Sequence, residues 1–288
     1  MMFRPIESYD QRLLSHELTI SPTPAKLHFM HDVFGNCVGV ARFAGRTSEL
    51  LFESVSRLNH MPLPAFADMD GEIEVYRGEM PVDYSAEDLP DLLQSMQRRY
   101  ADPDDLVQSW ARRFLRSRGR TSLQTLLSDM TQAIHAGFKY NTRLEIGSQT
   151  PLQTLTLGSG SCRDFAVLMM DAVRSLGLAA QFVSGYIYSP SRSAIDRDRV
   201  GGGHTHAWVR VYLPACGWVE FDPTNGIVGN ADLVRVAIAG DPRQALPLHG
   251  AWSGLASDYL GMDVEVDVVA ENDGLEQPLA ARAVGLAS

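Results

Sequence analysis

Cysteine is scarce in this sequence. The 288 residues include three cysteines, Cys37, Cys162 and Cys216, and no two of them have the C-x-x-C spacing. An odd and sparse set of this kind argues against a disulfide framework and against a four-cysteine zinc site. We therefore expect at most one of the three thiols to have a chemical role.

Long apolar runs are missing as well. A membrane-spanning helix needs roughly 18 uninterrupted apolar residues, but even the apolar stretch after Gly177 contains Gln181 and Ser184. The N-terminus, MMFRPIESYDQRLL, has no basic segment followed by an apolar core and a small-residue cleavage site, as a secretory signal would have. These absences predict a cytoplasmic protein with no membrane partner.

Positive charge is in deficit, with 25 Lys and Arg against 35 Asp and Glu and a formal net charge of -10. Such a charge repels nucleic-acid phosphates and weakly favours cationic or neutral substrates. Five arginines do cluster on one segment, but they share it with Trp110, Phe114 and Leu115, which is typical of a solvated helix face. We therefore expect no nucleic-acid partner. The clustered residues are Arg112, Arg113, Arg116, Arg118 and Arg120.

The first part of the chain has a strand-like pattern. With 45% hydrophobic and 21% charged residues, the chain has a globular composition and is long enough for one large or two ordinary domains. From Leu13 to about Ile73, polar and apolar residues alternate with period two, as in SHELTI and KLHFMHDV, and turn residues separate the segments. This pattern predicts an N-terminal antiparallel β-sandwich.

After Met80 the apolar spacing becomes helical, behind the Ser and Asp residues that are typical of helix starts. The segments are SAEDLPDLLQSMQRRY, DPDDLVQSWARRFLRS and SLQTLLSDMTQAIHAGF. We therefore place a boundary near Pro81. The predicted organisation is a β-sandwich domain over residues 1–80, a second domain over residues 81–270 and a mobile tail over residues 271–288 that is rich in small residues.

A glycine-rich turn leads directly into an amphipathic segment at Cys162. The sequence GSGSC precedes RDFAVLMMDAVRSLG, in which apolar residues recur at spacings of three and four until Gly177. A cysteine at the positive end of a helix is favoured as a thiolate, and the free N–H groups there can hold an oxyanion. The alternative is that Cys162 is a small buried hydrophobic residue, as free cysteines often are.

Two predicted strands downstream, HTHAWVRVYL and WVEFDP, are joined by PACG. The midpoint between positions 206 and 222 is Pro214, so a hairpin with a five-residue loop centred there would place His206 directly opposite Asp222. Opposed Cβ atoms lie about 4.5–5.5 Å apart, within reach of a carboxylate–imidazole hydrogen bond. The other ring nitrogen could then deprotonate Cys162, which is the logic of a nucleophile, a base and a residue that orients the base.

Other interpretations of the same residues stay open at this point. His204 lies on the same predicted strand face as His206 and could be the base, or both could bind a metal with Asp222 or Cys216. A shift of one residue in the loop register would move Asp222 to the opposite face. Singly, His206 could be an ordinary half-buried histidine, and Asp222 a turn residue.

Two segments of the sequence are similar to a known protein family, GSGSCRDFAVLMMDAVRSLGLAAQFVSGYIYS and HTHAWVRVYLPACGWVEFDPTNG. They resemble the transglutaminase-like superfamily, in particular its bacterial cysteine proteases with an N-terminal β-sandwich. The segments FKYN and TPLQTL are also similar, so the resemblance extends from about residue 10 to residue 270. It implies an α+β, papain-like catalytic core over residues 81–270, in which the nucleophile helix packs on an antiparallel sheet. For small bacterial members of the family it also implies no required cofactor.

The resemblance also assigns individual residues. The family's nucleophile corresponds to Cys162, its histidine in the HAW motif to His206, and its aspartate in the DPT motif to Asp222. His204 is then an accessory residue. No Gln directly precedes Cys162, so the second oxyanion donor is open, with Tyr140 as a candidate whose alternative role is core packing. Trp208 shares the predicted face of His206 and either shields the site or belongs to the core.

Thiol-dependent amide chemistry through an acyl-enzyme follows from these assignments. The expected reaction is hydrolysis of a peptide or isopeptide bond in a protein or peptide substrate. Transfer of the acyl group to an amine is the first alternative, because the two reactions differ only in whether water or an amine reaches the site. A non-enzymatic binding protein that retains the fold, and a zinc hydrolase using His204 and His206, are the other two.

Overall fold

The structure is a computed structural model that describes residues 1–62, 72–74, 82, 84–117, 119–143, 147–189, 200–214, 216–271 and 282–283. The predicted domain boundary at Pro81, Arg118 of the arginine cluster and most of the predicted C-terminal tail lie outside the described residues.

The alternating N-terminal segments form antiparallel strands, as their sequence predicts. The first and fourth strands pair along their whole length, from Gln11 opposite His60 to Ser21 opposite Leu51, with a bulge after Leu13. The second and third strands form a separate hairpin. The strands are β1 (Gln11–Ser21), β2 (Lys26–His31), β3 (Cys37–Arg42), β4 (Leu51–His60) and the short β5 (Glu72–Glu74).

Helices dominate the next part of the chain, and all three helical segments predicted there are confirmed. The longest of them begins after Ser122, whose side chain accepts a hydrogen bond from the Thr125 N–H, and buries its apolar face in the core. The elements in order are α1 (Leu89–Met96), α2 (Leu106–Arg112), β6 (Arg120–Ser122), α3 (Leu123–Gly137), β7 (Lys139–Tyr140), α4 (Pro151–Leu157), β8 (Ser159–Gly160) and α5 (Cys162–Ser175).

A five-stranded antiparallel sheet completes the core. Its strand order is β12, β11, β10, β9, β13, where the strands are β9 (Ala180–Ile187), β10 (His206–Leu213), β11 (Gly217–Asp222), β12 (Ile227–Val228) and β13 (Leu233–Ala239). Helix α5 packs against the central strands β10 and β9, and nearly all of its residues are buried. A last short strand, β14 (Arg282–Ala283), pairs with β4.

The register of the β10–β11 hairpin differs from the prediction. Leu213 pairs with Gly217 and Val209 with Phe221, so the centre of the hairpin lies one residue beyond Pro214 and the loop is shorter than five residues. His206 and Asp222 are therefore diagonal neighbours rather than directly opposed. The displacement is an even number of residues, so both side chains still lie on the same face of the sheet.

A buried polar cluster connects the N-terminal strands to this sheet. The guanidinium of Arg235 on β13 contacts both Asp10, just before β1, and Glu220 on β11. Gln11 donates to the Arg235 carbonyl and accepts from its N–H, both at 2.9 Å. The N-terminal region is thus anchored on the edge of the sheet that carries β13.

Among the described residues, none of the helices combines the length and the apolar character that crossing a bilayer would require.

Candidate active site

Cys162 is the first residue of α5 and has only 8% of its surface exposed. The start of the helix is held by Asp164, whose carboxylate accepts hydrogen bonds from the N–H and the hydroxyl of Ser161 at 2.8 and 2.9 Å. The same carboxylate accepts from the N–H of Gln149 and pairs with Arg143. The backbone around the thiol is therefore fixed before any substrate binds.

The glycine-rich turn before Cys162 has a steric cause. Gly160 lies directly over Asp164, and a Cβ atom at position 160 would approach the Asp164 Cβ to 2.7 Å. Gly158 ends α4 in the left-handed region, with φ of 59°. Glycine at these two positions allows the chain to turn sharply from α4 into α5, which places the thiol at the positive end of the second helix.

His206 and Asp222 form a buried pair at one end of the sheet. Nε2 of His206 lies 2.8 Å from Oδ2 of Asp222, and the two side chains are inaccessible to solvent. His206 and Asp222 are therefore as close as the sequence predicts, although the register of the hairpin differs from the predicted one. The second carboxylate oxygen, Oδ1, accepts from the Thr224 N–H at 2.9 Å.

The charge state of the pair follows from opposing effects. Burial alone would raise the pKa of Asp222, but the positive charge of His206 and the hydrogen bonds from His206, Asn225 and Thr224 hold it below its usual value. Burial would likewise lower the pKa of His206. The charge and the hydrogen bond of Asp222, followed by those of Cys162, raise it to about 10. An imidazolium between a carboxylate and a thiol is the favoured state.

The second ring nitrogen of His206 is the one that remains for the thiol. Nδ1 is buried and has no hydrogen bond of regular geometry to any described residue. Cys162 raises the pKa of His206 through a hydrogen bond and through its charge. Because Nε2 already binds Asp222, we assign the hydrogen bond with Cys162 to Nδ1. A cysteine, a histidine and an aspartate arranged in this way can supply a nucleophile, a base and a residue that orients the base.

Tyr140 lies beside Cys162. Strand β7 pairs in parallel with β8, which places Tyr140 opposite Gly160, two residues before Cys162. Burial and the negative charge of Cys162 raise the pKa of Tyr140 to about 12, so its hydroxyl is a proton donor at neutral pH. The ring also packs edge-on against Phe165, with centroids 6.4 Å apart. Both roles predicted for this residue are compatible with its position.

Trp208 is completely buried and belongs to an apolar cluster on one face of the sheet. Its ring stacks on that of His206, with centroids 5.9 Å apart and an angle of 28° between the planes. Of the two roles predicted for Trp208, shielding the site or belonging to the core, its position fits the core role. Its contact with the imidazole also keeps one face of that ring away from solvent.

His204 does not join the other site residues. It is exposed and precedes β10 in a turn where its N–H donates to the Gly201 carbonyl at 3.3 Å. Since β10 begins at His206, the expectation that both histidines lie on one strand is wrong. Within the described part of the chain, no three His, Cys, Asp or Glu side chains are grouped so that they could hold a metal ion. No disulfide joins the three cysteines, all of which lie in the described part of the chain.

Asp164 and Asn225 are two polar contributors to the site that sequence reasoning missed. Asp164 follows the cysteine in SCRD, where an acidic residue three positions after Ser is the signal of a capping box. Asn225 follows the aspartate in DPTN, and its side chain donates to Oδ2 of Asp222 at 2.8 Å. The first could have been found from helix-capping rules, whereas the second depends on how the chain turns after β11.

Comparison with known proteins agrees with this architecture. Residues 108–223 match the core of the transglutaminase-like superfamily, and residues 1–59 match the bacterial transglutaminase-like N-terminal region. The first match contains Cys162, His206 and Asp222. The second contains strands β1 to β3 and most of β4.

Similar proteins occur in mycobacteria and elsewhere. The uncharacterized protein Rv2569c of Mycobacterium tuberculosis H37Rv is 29% identical over 285 residues, which cover 94% of this chain and 86% of that protein. The uncharacterized protein ML0607 of Mycobacterium leprae is 35% identical over 107 residues, or 37% of each chain.

A solved structure has a similar fold over nearly the whole chain. It is that of a "Putative Cysteine Protease" from Cytophaga hutchinsonii, with a TM-score of 0.63 and 15% sequence identity. The alignment covers 99% of this chain and 91% of that one, so the two share a fold. This protein thus has the core of the transglutaminase-like superfamily over residues 108–223, preceded by a bacterial transglutaminase-like N-terminal region over residues 1–59.

Proposed function

We propose that this protein hydrolyses peptide or isopeptide bonds through an acyl-enzyme on Cys162, with His206 and Asp222 completing a catalytic triad. The observation that carries the proposal is the buried 2.8 Å contact between His206 Nε2 and Asp222 Oδ2, together with the influence of Cys162 on the same imidazole. An ion pair of thiolate and imidazolium needs both features, because the carboxylate stabilises the positive ring.

Acylation begins when the thiolate of Cys162 attacks the carbonyl carbon of the scissile amide. The carbonyl oxygen becomes an oxyanion, and the imidazolium of His206 transfers its Nδ1 proton to the leaving nitrogen as the C–N bond breaks. The products of this half-reaction are a free amine and a thioester on Cys162. Asp222 keeps the imidazole oriented through Nε2 while Nδ1 loses and regains its proton.

Deacylation uses the same groups in reverse. Neutral His206 takes a proton from water through Nδ1, and the resulting hydroxide attacks the thioester carbonyl. Collapse of the second tetrahedral intermediate breaks the C–S bond, which releases a carboxylic acid and restores the thiolate beside the imidazolium. Water is the only co-substrate that this reaction consumes.

The oxyanion requires hydrogen-bond donors near the thiol. The free N–H groups at the start of α5 are one source, because the first turn of a helix leaves its N–H groups unpaired. We assign the second donor to Tyr140, whose hydroxyl is held in its protonated form beside Cys162. A donor of this kind is worth about 10²–10³ in rate in acyl-transfer enzymes.

The experiment that tests the proposal is mass spectrometry of the intact protein after incubation with a cell extract or a peptide library. We expect a covalent acyl adduct on Cys162, and its disappearance in Cys162→Ala. Cys216→Ser, which removes a partly buried thiol of the same chain, is the control and should keep the adduct.

The fate of the acyl group is determined in the same experiment. Decay of the adduct in water, at a rate unaffected by added amines, supports hydrolysis. Decay that depends on an added primary amine and yields a new amide would show acyl transfer instead. No adduct under any condition, or one that forms on Cys216, would overturn the assignment of Cys162.

A further inference from the structure

We propose that Asn225 is a positioning residue of this site, which holds the Asp222 carboxylate and the Val200–Gly201 backbone in place around the imidazole of His206. The inference rests on the proposed function, because it assigns a role to Asn225 in the ion pair of Cys162 and His206. It concerns a side chain that neither donates a proton nor contacts the scissile bond.

The hydrogen bonds of Asn225 connect two segments that are distant in sequence. Its Nδ2 donates to Oδ2 of Asp222 at 2.8 Å and to the carbonyl of Val200 at 3.0 Å. Its Oδ1 accepts from the Val200 N–H at 2.7 Å. One amide group therefore binds both the Asp222 oxygen that orients His206 and the backbone of Val200, which precedes β10 in the sequence.

The geometry at Oδ2 makes this contact specific. The same oxygen accepts from Nε2 of His206, and Asn225 Nδ2 lies 3.5 Å from that nitrogen. Asn225 thus occupies the edge of the imidazole and carboxylate pair at which water could otherwise compete for Oδ2. An amide suits this position because it does not titrate and can donate to the carboxylate while it accepts from the backbone.

Gly201 shows why the loop must be held. It has φ of 102°, and a Cβ atom at this position would lie 2.6 Å from Nδ1 of His206. The glycine backbone therefore covers the ring beside Nδ1, the nitrogen that we assign to the thiol. Without the two hydrogen bonds that Asn225 and Val200 exchange, this backbone has less to keep it at a fixed distance from the ring.

The chain offers a matched control in Asn36. Asn36 donates to a nearby carboxylate, Asp32, at 2.8 Å, and it exchanges two hydrogen bonds with the backbone of the distant residue Ile238, at 2.7 and 2.8 Å. It is completely buried. Asn36 therefore makes the same kind of connection as Asn225 but has no contact with His206 or Asp222.

The test measures the rate at which iodoacetamide alkylates Cys162 between pH 5 and pH 9, with the modified residue identified by mass spectrometry. An ordinary thiol reacts slowly at pH 6 because its pKa is about 8.5. We expect wild-type Cys162 to react rapidly at pH 6. Asn225→Ala should lower this rate about tenfold, while the two rates should converge at pH 9, which is above the usual pKa of a thiol.

Asn36→Ala should lower the melting temperature but leave the pH profile of alkylation within twofold of wild type. If Asn225→Ala does not fold, as judged by circular dichroism, Asn225→Ser replaces it, because a serine hydroxyl is too short to reach Val200. A wild-type profile in the folded Asn225 variant would overturn the inference and leave the proposed function intact. A wild-type Cys162 that reacts like an ordinary thiol at pH 6 would instead overturn the proposed function.

Discussion

At the scale of single residues, the site depends on a carboxylate that stays charged although it is buried. Asp222 is surrounded by donors, because His206 and Asn225 bind Oδ2 and the Thr224 N–H binds Oδ1. These contacts offset the cost of removing the charge from water. They also account for the raised pKa of His206, since the imidazolium is the form that the carboxylate stabilises.

The stability of the protein should therefore depend on pH through this pair. The folded state raises the pKa of His206 from 6.5 to about 10 and lowers that of Asp222 from 3.8. Stabilisation by His206 is fully present below about pH 6.5 and is lost as the pH rises through about 10. Stabilisation by Asp222 is present above about pH 4 and is lost as the pH falls further.

Asp222→Asn removes the negative charge that raises the pKa of His206, so this variant isolates the contribution of the pair to stability. We expect the free energy of unfolding of wild type, relative to the variant, to be largest between about pH 4 and pH 6.5 and to shrink steadily towards pH 10. Urea denaturation at five pH values measures it. Asp241→Asn, at another buried carboxylate that pairs with Arg243, is the control. A difference that does not change between pH 6 and pH 10 would contradict an imidazolium at His206 paired with a charged Asp222.

At the scale of elements, the helix that carries Cys162 could be predicted almost completely from the sequence. The 3.6-residue spacing, the glycine-rich turn and the terminating Gly177 are local signals, and α5 begins at Cys162 and ends at Ser175. The hairpin was predictable in existence and in the face that it presents, but not in register. Three or five loop residues are equally compatible with PACG, and only packing against β9 and α5 decides between them.

The contacts of Asn225 and Gly201 with the His206 region could not be predicted. They depend on a turn after β11 and a loop before β10 that meet across 25 positions of sequence. Local spacing contains no information about such a contact, because it forms only when both ends of the sheet are in place. The prediction that His204 lies on the same strand as His206 was wrong for a related reason. Strand β10 begins where His206 pairs with Gly185 on β9, and the local sequence does not determine that position.

The turn into α5 provides a prediction at this scale. Gly160→Ala should lower the free energy of unfolding by about 1–3 kcal/mol, because its Cβ would lie 2.7 Å from that of Asp164. Gly137→Ala is the matched control, since a Cβ at the end of α3 meets nothing within 4 Å. It should be neutral or stabilise the protein by up to about 1 kcal/mol. Equal effects of the two substitutions in urea denaturation would contradict the steric explanation.

At the scale of the whole molecule, the N-terminal strands and the core behave as connected units. Arg235 links Asp10 to Glu220, and the carboxylate of Glu220 is buried so deeply that burial raises its pKa. The arginine therefore compensates a charge that the sheet cannot expose to water. Such a contact should matter more for stability than any ion pair on the surface.

Arg235→Ala should accordingly lower the free energy of unfolding by about 3–5 kcal/mol, because it leaves Glu220 and Asp10 without their partner. Arg57→Ala removes an exposed pair with Glu271 and should cost less than about 1 kcal/mol. Chemical denaturation of the three proteins makes the comparison. If the two variants were equally stable, the buried cluster would not anchor the N-terminal region on the sheet.

At the same scale, the proposed function requires that His206, and not His204, forms the ion pair with Cys162. The most direct measurement is the rate of alkylation of Cys162 by iodoacetamide at pH 6 in wild type, His206→Gln and His204→Gln, with folding verified by circular dichroism. We expect His206→Gln to lower the rate by at least about a hundredfold and His204→Gln to leave it within twofold. A His206→Gln variant that reacts as fast as wild type, with a slow His204→Gln variant, would contradict the assignment of His206 as the base.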